Sequence, residues 1–163
     1  MSCPAPLTIT PASLPLQLQT ESCAQTEAFG ANLAQTLLDM PSLPHYIALR
    51  GDLGVGKTAL VRGFASVVAP GALVRSPTFA LVNEYCTVGC REPLFHFDMY
   101  RITDEDDLYS IGYDDYLDRG FWLVEWSENI PYALPERYLS LSIEKDCPDQ
   151  PEHRKLTLTL VTD

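Results

Sequence analysis

The chain has 163 residues, 46% of them apolar and 20% charged, which suffices for the core of one domain and excludes the low-hydrophobicity regime of disordered chains. Its 22 Asp and Glu stand against 11 Lys and Arg, a net charge of −11. That balance argues against binding DNA or RNA unaided, because such affinity comes largely from Lys and Arg displacing condensed counterions.

Residues 1 to 13 carry Pro4, Pro6 and Pro11 and read as a loose N-terminal extension, with a single domain expected over residues 14 to 163. The first twenty residues are uncharged but lack the basic start of a secretory signal. Leu14 to Thr20 alternates like an edge strand, and Phe29, Leu33 and Leu37, spaced by four, predict an amphipathic helix from Cys23 to Met40. Pro41 and Pro44 stop it. Tyr46 to Leu49 is a short apolar run of the kind buried on both faces of a parallel sheet. A glycine-rich segment follows, then a helix from Ala59 to Val68 that ends before Pro70 and Gly71.

Thr78 to Tyr85 and Leu94 to Asp98 are strand candidates whose short separation, with Gly89 and Pro93 between them, predicts an antiparallel hairpin. Cys86 and Cys90 fall at the two ends of its turn, and no second Cys or His pair lies nearby to complete a metal site. The five cysteines (Cys3, Cys23, Cys86, Cys90, Cys147) are odd in number and scattered, so reduced thiols are expected rather than a disulfide framework. Asp104 to Asp118 predicts a short acidic helix and a loop, and Phe121 to Val124 an apolar strand ending in Glu125. Tyr138 to Ile143 and Lys155 to Val161 alternate and should pair. No run reaches the roughly 18 to 20 apolar residues of a membrane span.

Gly51, Asp52, Leu53, Gly54, Val55, Gly56, Lys57 and Thr58 match G-x-x-x-x-G-K-[ST] in full. Such a loop turns its N–H groups inward as an anion nest, which glycine backbones tolerate, and the following helix aims its positive end at the same anion. Lys57 is then placed to reach the β and γ phosphates and Thr58 to give its hydroxyl to Mg2+. A random chain of this length contains the pattern about once in two hundred. The strand before it and the helix after it lower those odds, and nucleotide binding is expected.

A P-loop also needs a carboxylate on the far side of the cation, at the end of a neighbouring strand. Asp98 and Glu125 both qualify. The strand before Glu125 is continuously apolar, as a central strand should be, whereas His96 interrupts the other. Glu125 is therefore assigned to the metal and Asp98 to the attacking water. Thr78, in Ser76-Pro77-Thr78, sits where a switch segment senses the γ-phosphate, although a turn opening a strand accounts for the same residues. Arg75 and Arg101 lie near these elements, Arg62 belongs on the exposed face of the P-loop helix, and His96 reads as a packed strand histidine more than as a base.

Four segments together resemble the bacterial TsaE family, the ATPases of tRNA threonylcarbamoyladenosine biosynthesis. They are Gly51 to Thr58 (G-D-L-G-V-G-K-T), Ser76 to Val82 (S-P-T-F-A-L-V), His96 to Arg101 (H-F-D-M-Y-R) and Val124 to Trp126 (V-E-W). The resemblance runs from about Gln19 to the last strand. It implies an α/β fold, a single P-loop NTPase domain with a mixed, mostly parallel central sheet flanked by helices, and ATP and Mg2+ as cofactors. It also implies hydrolysis that is slow alone and partner-dependent. The setting would be the cytoplasm, beside TsaD and TsaB, with tRNA met only through that complex.

Position by position, the resemblance makes Lys57, Asp98 and Thr78 catalytic, and Thr58 and Glu125 the metal ligands. It adds Glu21, Cys23 and Thr26 near the adenine. Gly54, Val55, Gly56, Lys57, Thr58, Ala59 and Arg154 complete the ATP-binding set. Trp126 matches the family's tryptophan after the glutamate. Residues 1 to 13 and Cys86 to Pro93 have no counterpart in it.

Two other functions compete with an ATPase that drives or resets the TsaD–TsaB complex. A small-molecule kinase would need an acceptor site and lid arginines, and the arginines here are dispersed. A binding module would use ATP only to order the switch. A GTPase lacks its N-K-x-D motif. From His96 to Asn129 ten acids face two bases, a balance of −8, which repels tRNA and suits a basic protein face or plain solvation.

Overall fold

The computed structural model describes residues 7–90 and 92–163; Cys3 and the first six residues of the expected extension lie outside them. Among the described residues seven strands form one sheet: β1 (Leu16–Thr20), β2 (Tyr46–Arg50), β3 (Val82–Tyr85), β4 (Leu94–Asp98), β5 (Phe121–Glu125), β6 (Arg137–Cys147) and β7 (Gln150–Thr162). Their order is β1-β7-β6-β2-β5-β4-β3. The β6–β2, β2–β5 and β5–β4 pairs are parallel, and β1–β7, β7–β6 and β4–β3 antiparallel. Five strands therefore run one way and β3 and β7 oppose them: the mixed, mostly parallel sheet that the resemblance implies.

Alternation along β2 sorts the core into two layers. Ile47 and Leu49 face α1 (Cys23–Asp39) and α2 (Lys57–Val68), joined by Leu33, Leu37, Phe64, Leu123, Leu139 and Leu141. The two helices touch backbone to backbone, since a Cβ on Gly63 would lie 1.8 Å from the Glu27 carbonyl oxygen and one on Gly30 2.2 Å from that of Leu60. Ser22 caps α1, its Oγ accepting the Gln25 N–H at 3.2 Å. Arg62 lies on the exposed side of α2 and pairs with Glu27.

Tyr46 and Ala48 point to the other face, into a cluster of Phe95, Phe97, Trp122, Tyr113 and Tyr138. Phe97 and Trp122 stack at 4.8 Å, Tyr113 meets Trp122 edge-on at 5.1 Å, and the Tyr46 and Tyr113 hydroxyls lie 2.9 Å apart. This layer is roofed by α3 (Glu105–Ser110) and a 3-10 turn over Tyr113–Tyr116. Asp104 caps α3 with its carboxylate, and Glu105, Asp106 and Asp107 occupy the positive end of its first turn.

Several expectations change. The strand expected from Thr78 starts at Val82, because Pro77 to Leu81 forms a turn and Leu81 takes a left-handed backbone, φ 66°. The P-loop helix begins at Lys57, and β6 and β7 extend beyond the alternating segments through an irregularity between Lys145 and Cys147. Of residues 7 to 13 in the expected extension, Ile9 is 1% exposed within the layer beneath the helices, and Asn32 donates to the Leu7 carbonyl. Cys86 and Cys90 do bracket the hairpin turn, but they are bonded to each other, so the reduced reading does not hold for this pair. Among the described residues no helix is long and apolar enough to cross a membrane.

Candidate active site

Three parallel strands, β2, β5 and β4, carry their C-terminal ends to one edge of the sheet, where a doubly covered sheet places its ligands. From β2 the chain enters the glycine loop. A Cβ at Gly51 would stand 2.5 Å from the Ile143 carbonyl oxygen, so the loop lies hard against β6. Gly56 caps α2 in a left-handed conformation, φ 108°, which glycine adopts without a Cβ clash.

Lys57, the first residue of α2, is 6% exposed. Its Nζ donates to the Gly51 carbonyl at 2.7 Å, lies 3.9 Å from Glu125 Oε2, and stands 4.5 Å over the Trp126 ring. The buried ammonium thus has a carbonyl dipole, a carboxylate and a π face around it. Thr58 follows in the first turn of α2, half-buried.

Asp98 and Glu125 end adjacent strands as register partners, each 5% exposed. Burial, with a smaller push from the Glu125 charge, raises the Asp98 carboxyl above the usual carboxylate range, against the Tyr100 N–H it accepts at 2.9 Å and the Lys57 charge. Glu125 Oε1 lies 2.8 Å from His96 Nε2. After Glu125 the backbone turns sharply through Trp126, φ 56°, ending the strand and bringing that indole over Lys57. The β5 strand is the direct neighbour of β2, so Glu125 ends the strand beside the one that feeds the loop.

On the other side of the loop, Cys23, Thr26, Gly54, Val55, Gly56, Ala59, Glu152 and Arg154 line a cavity of about 200 Å³. Seven of these were expected at the nucleotide. Thr26 is held there by a 2.8 Å hydroxyl contact with Thr20 at the end of β1. Glu21 is exposed and outside the lining, its N–H donating to Gln25 Oε1. Arg154 does not project as a free charge, because its Nε donates to the Val55 carbonyl at 2.6 Å and clasps β7 to the loop. Glu152, two residues before Arg154 on β7, joins the lining without having been expected there.

Thr78 lies in the turn before β3, half-buried, its Oγ1 2.8 Å from Ser76 Oγ. The turn reaches the carboxylates through the backbone, where the Asp98 N–H donates to the Leu81 carbonyl at 2.9 Å. Arg101 covers the exposed Phe79 ring at 5.0 Å, and Arg75 is exposed. Among the described residues no group of three or more His, Cys, Asp or Glu side chains gathers for a metal. A cation here would depend on ligand oxygens as well as on the protein, the manner of Mg2+ on a polyphosphate.

Residues 20–156 match the family model described as Threonylcarbamoyl adenosine biosynthesis protein TsaE. The tRNA threonylcarbamoyladenosine biosynthesis protein TsaE of Haemophilus influenzae is 37% identical over 118 residues, 71% of this chain and 73% of the relative. That of Bacillus subtilis is 39% identical over 116 residues, 71% and 69% of the two chains. The crystal structure of Bacillus subtilis YdiB superposes with a TM-score of 0.65 at 28% identity, covering 91% of this chain and 86% of that one.

Proposed function

The chain belongs to the TsaE family, and on that premise we propose that it is a Mg2+-dependent ATPase of tRNA threonylcarbamoyladenosine biosynthesis. Its hydrolysis would drive or reset TsaD and TsaB in the cytoplasm. The observation that carries the reading is the pair of buried carboxylates, Asp98 and Glu125, side by side at the strand ends and facing Lys57 beside the glycine loop.

The residues fit a nucleotide with its metal. The loop's left-handed glycines form a nest for phosphate, with no atom within 4 Å of a Cβ built on Gly54, and Lys57 needs only to exchange the Gly51 carbonyl for a phosphate oxygen. Thr58 and Glu125 would hold Mg2+, which, when bound, draws charge from the phosphoryl oxygens. Asp98, its carboxyl raised by burial, is a stronger base than an exposed carboxylate and suits a group that takes a proton from water. Cys23, Thr26 and Ala59 would border the base, and Thr78 would sense the γ-phosphate. The acidic surface from Asp104 to Asp118 suits a protein partner, so tRNA would be met through TsaD and TsaB.

The test is ATP hydrolysis by the purified chain, alone and with TsaB and TsaD, with Lys57→Ala as the blank. Turnover is expected to be slow alone and to rise with the pair. Asp98→Asn should lower it by about 10²–10⁴-fold while nucleotide still binds. A raised folded pKa makes the Asp98 charge a cost at neutral pH: its stabilising share is complete below the unfolded pKa and gone above the folded one. The variant should therefore melt no lower than the parent. Turnover indifferent to Asp98→Asn would overturn the reading, and turnover that ignores the pair but rises with a small hydroxyl compound would make the chain a kinase.

A further inference from the structure

His96 is completely buried on β4, two residues before Asp98 and so on the same face of the strand. Its register partner on β5 is Leu123, while Asp98 opposes Glu125, so the imidazole reaches diagonally across the parallel pair to the carboxylate. Nε2 stands 2.8 Å from Glu125 Oε1. An ionised carboxylate has no proton to give, so Nε2 carries the proton and donates it. Nδ1 is buried and without a hydrogen-bond partner, so Nε2 makes the ring's one hydrogen bond. The two oxygens of Glu125 thus have different employment: Oε1 is engaged by His96, and Oε2 is turned towards Lys57 at 3.9 Å.

We propose that His96 is the positioning residue of this site, its Nε2–H locking Glu125 so that Oε2 is presented beside Lys57 to the cation that accompanies the triphosphate. The inference rests on the ATP and Mg2+ reading above. The ring donates one hydrogen bond through Nε2–H, and that bond fixes which way the carboxylate faces. Without that bond the Glu125 side chain regains its rotamers, and an outer partner of a metal carboxylate is worth about 10–100-fold in metal affinity.

Direct binding of a fluorescent ATP analogue, titrated in Mg2+ and again in EDTA, separates this from a packing role. The parent should bind more tightly in Mg2+ than in EDTA. His96→Leu should lose about tenfold or more of that enhancement, with the EDTA affinity unchanged. In His96→Gln the amide N–H stands near the place of Nε2–H, and this variant should regain the enhancement to within about threefold of the parent. A parental Mg2+ response in His96→Leu, or a His96→Gln no better than it, overturns the proposal.

Should circular dichroism show His96→Leu unfolded, His96→Asn takes its place. Its amide is too short to reach Glu125, so its response must fall below that of His96→Gln, and equality overturns the proposal. A parent that binds no nucleotide, or binds it alike in Mg2+ and EDTA, overturns the ATP and Mg2+ reading itself and this inference with it.

Discussion

The two faces of the sheet are built from different materials. One is mostly aliphatic and lies beneath helices of 17 and 12 residues that meet through glycines, so its fit comes from long regular surfaces brought into backbone contact. The other is aromatic and roofed by a six-residue helix and a four-residue 3-10 turn, which offer little surface to pack. Large rings wedged edge to face supply there the area and directionality that helices supply opposite. Short covers demand large side chains; long covers tolerate ordinary ones and instead need close approach.

Three perturbations break or sharpen that contrast. The largest effect should come from Trp122→Ala, which removes the ring shared by Tyr46, Phe95, Phe97 and Tyr113 and costs about 3–5 kcal/mol in urea denaturation. Next, Gly63→Ala should cost about 2–3 kcal/mol, although alanine is the better helix former, because its Cβ would meet the Glu27 backbone. A neutral or stabilised Gly63→Ala would mean that the helices do not touch as described.

The smallest effect is Tyr46→Phe, about 1 kcal/mol at neutral pH, since Tyr113 keeps the Ala133 carbonyl at 3.3 Å. Its signature is the alkaline limb. Burial chiefly raises both phenols, Tyr113 to about 12 and Tyr46 well above its ordinary value. The unfolded chain loses these protons at about pH 10, so stability is full below about pH 10 and declines as pH rises through the folded values. The variant should lose less stability over that interval than the parent, as followed by melting temperature against pH.

The same contrast explains what the sequence disclosed. The helix over Cys23–Asp39 was legible because its buried residues recur at helical spacing, that over Lys57–Val68 because it fills the run between the glycine loop and Pro70, and the loop because its residue types are demanded by its backbone. Asp98 and Glu125 were legible as strand ends. The His96–Glu125 bond was not, because it depends on β4 and β5 lying side by side in a particular register, a relation between segments that neither segment records. Thr78 was drawn into a strand because nothing in Thr78 to Leu81 announces the left-handed leucine that delays it. Arg154 is expected at the nucleotide, but its bond to a carbonyl of the loop itself could not be read from the chain, because it joins residues 99 positions apart.

The first strand has no partner until the last one exists. Leu16 pairs with Leu158 and Thr20 with Arg154, at opposite ends of the chain, and β7 alone stands between β1 and β6. As the chain leaves the ribosome, β4 and β5 have their neighbours well before β1 does, and the loop closed by β1 and β7 takes in every other strand of the sheet. The final hairpin therefore acts as a clasp. Until it shuts, β1 and β6 both present unpaired backbone to whatever else is in solution, and a chain halted before Leu156 would carry two open seams instead of a finished edge.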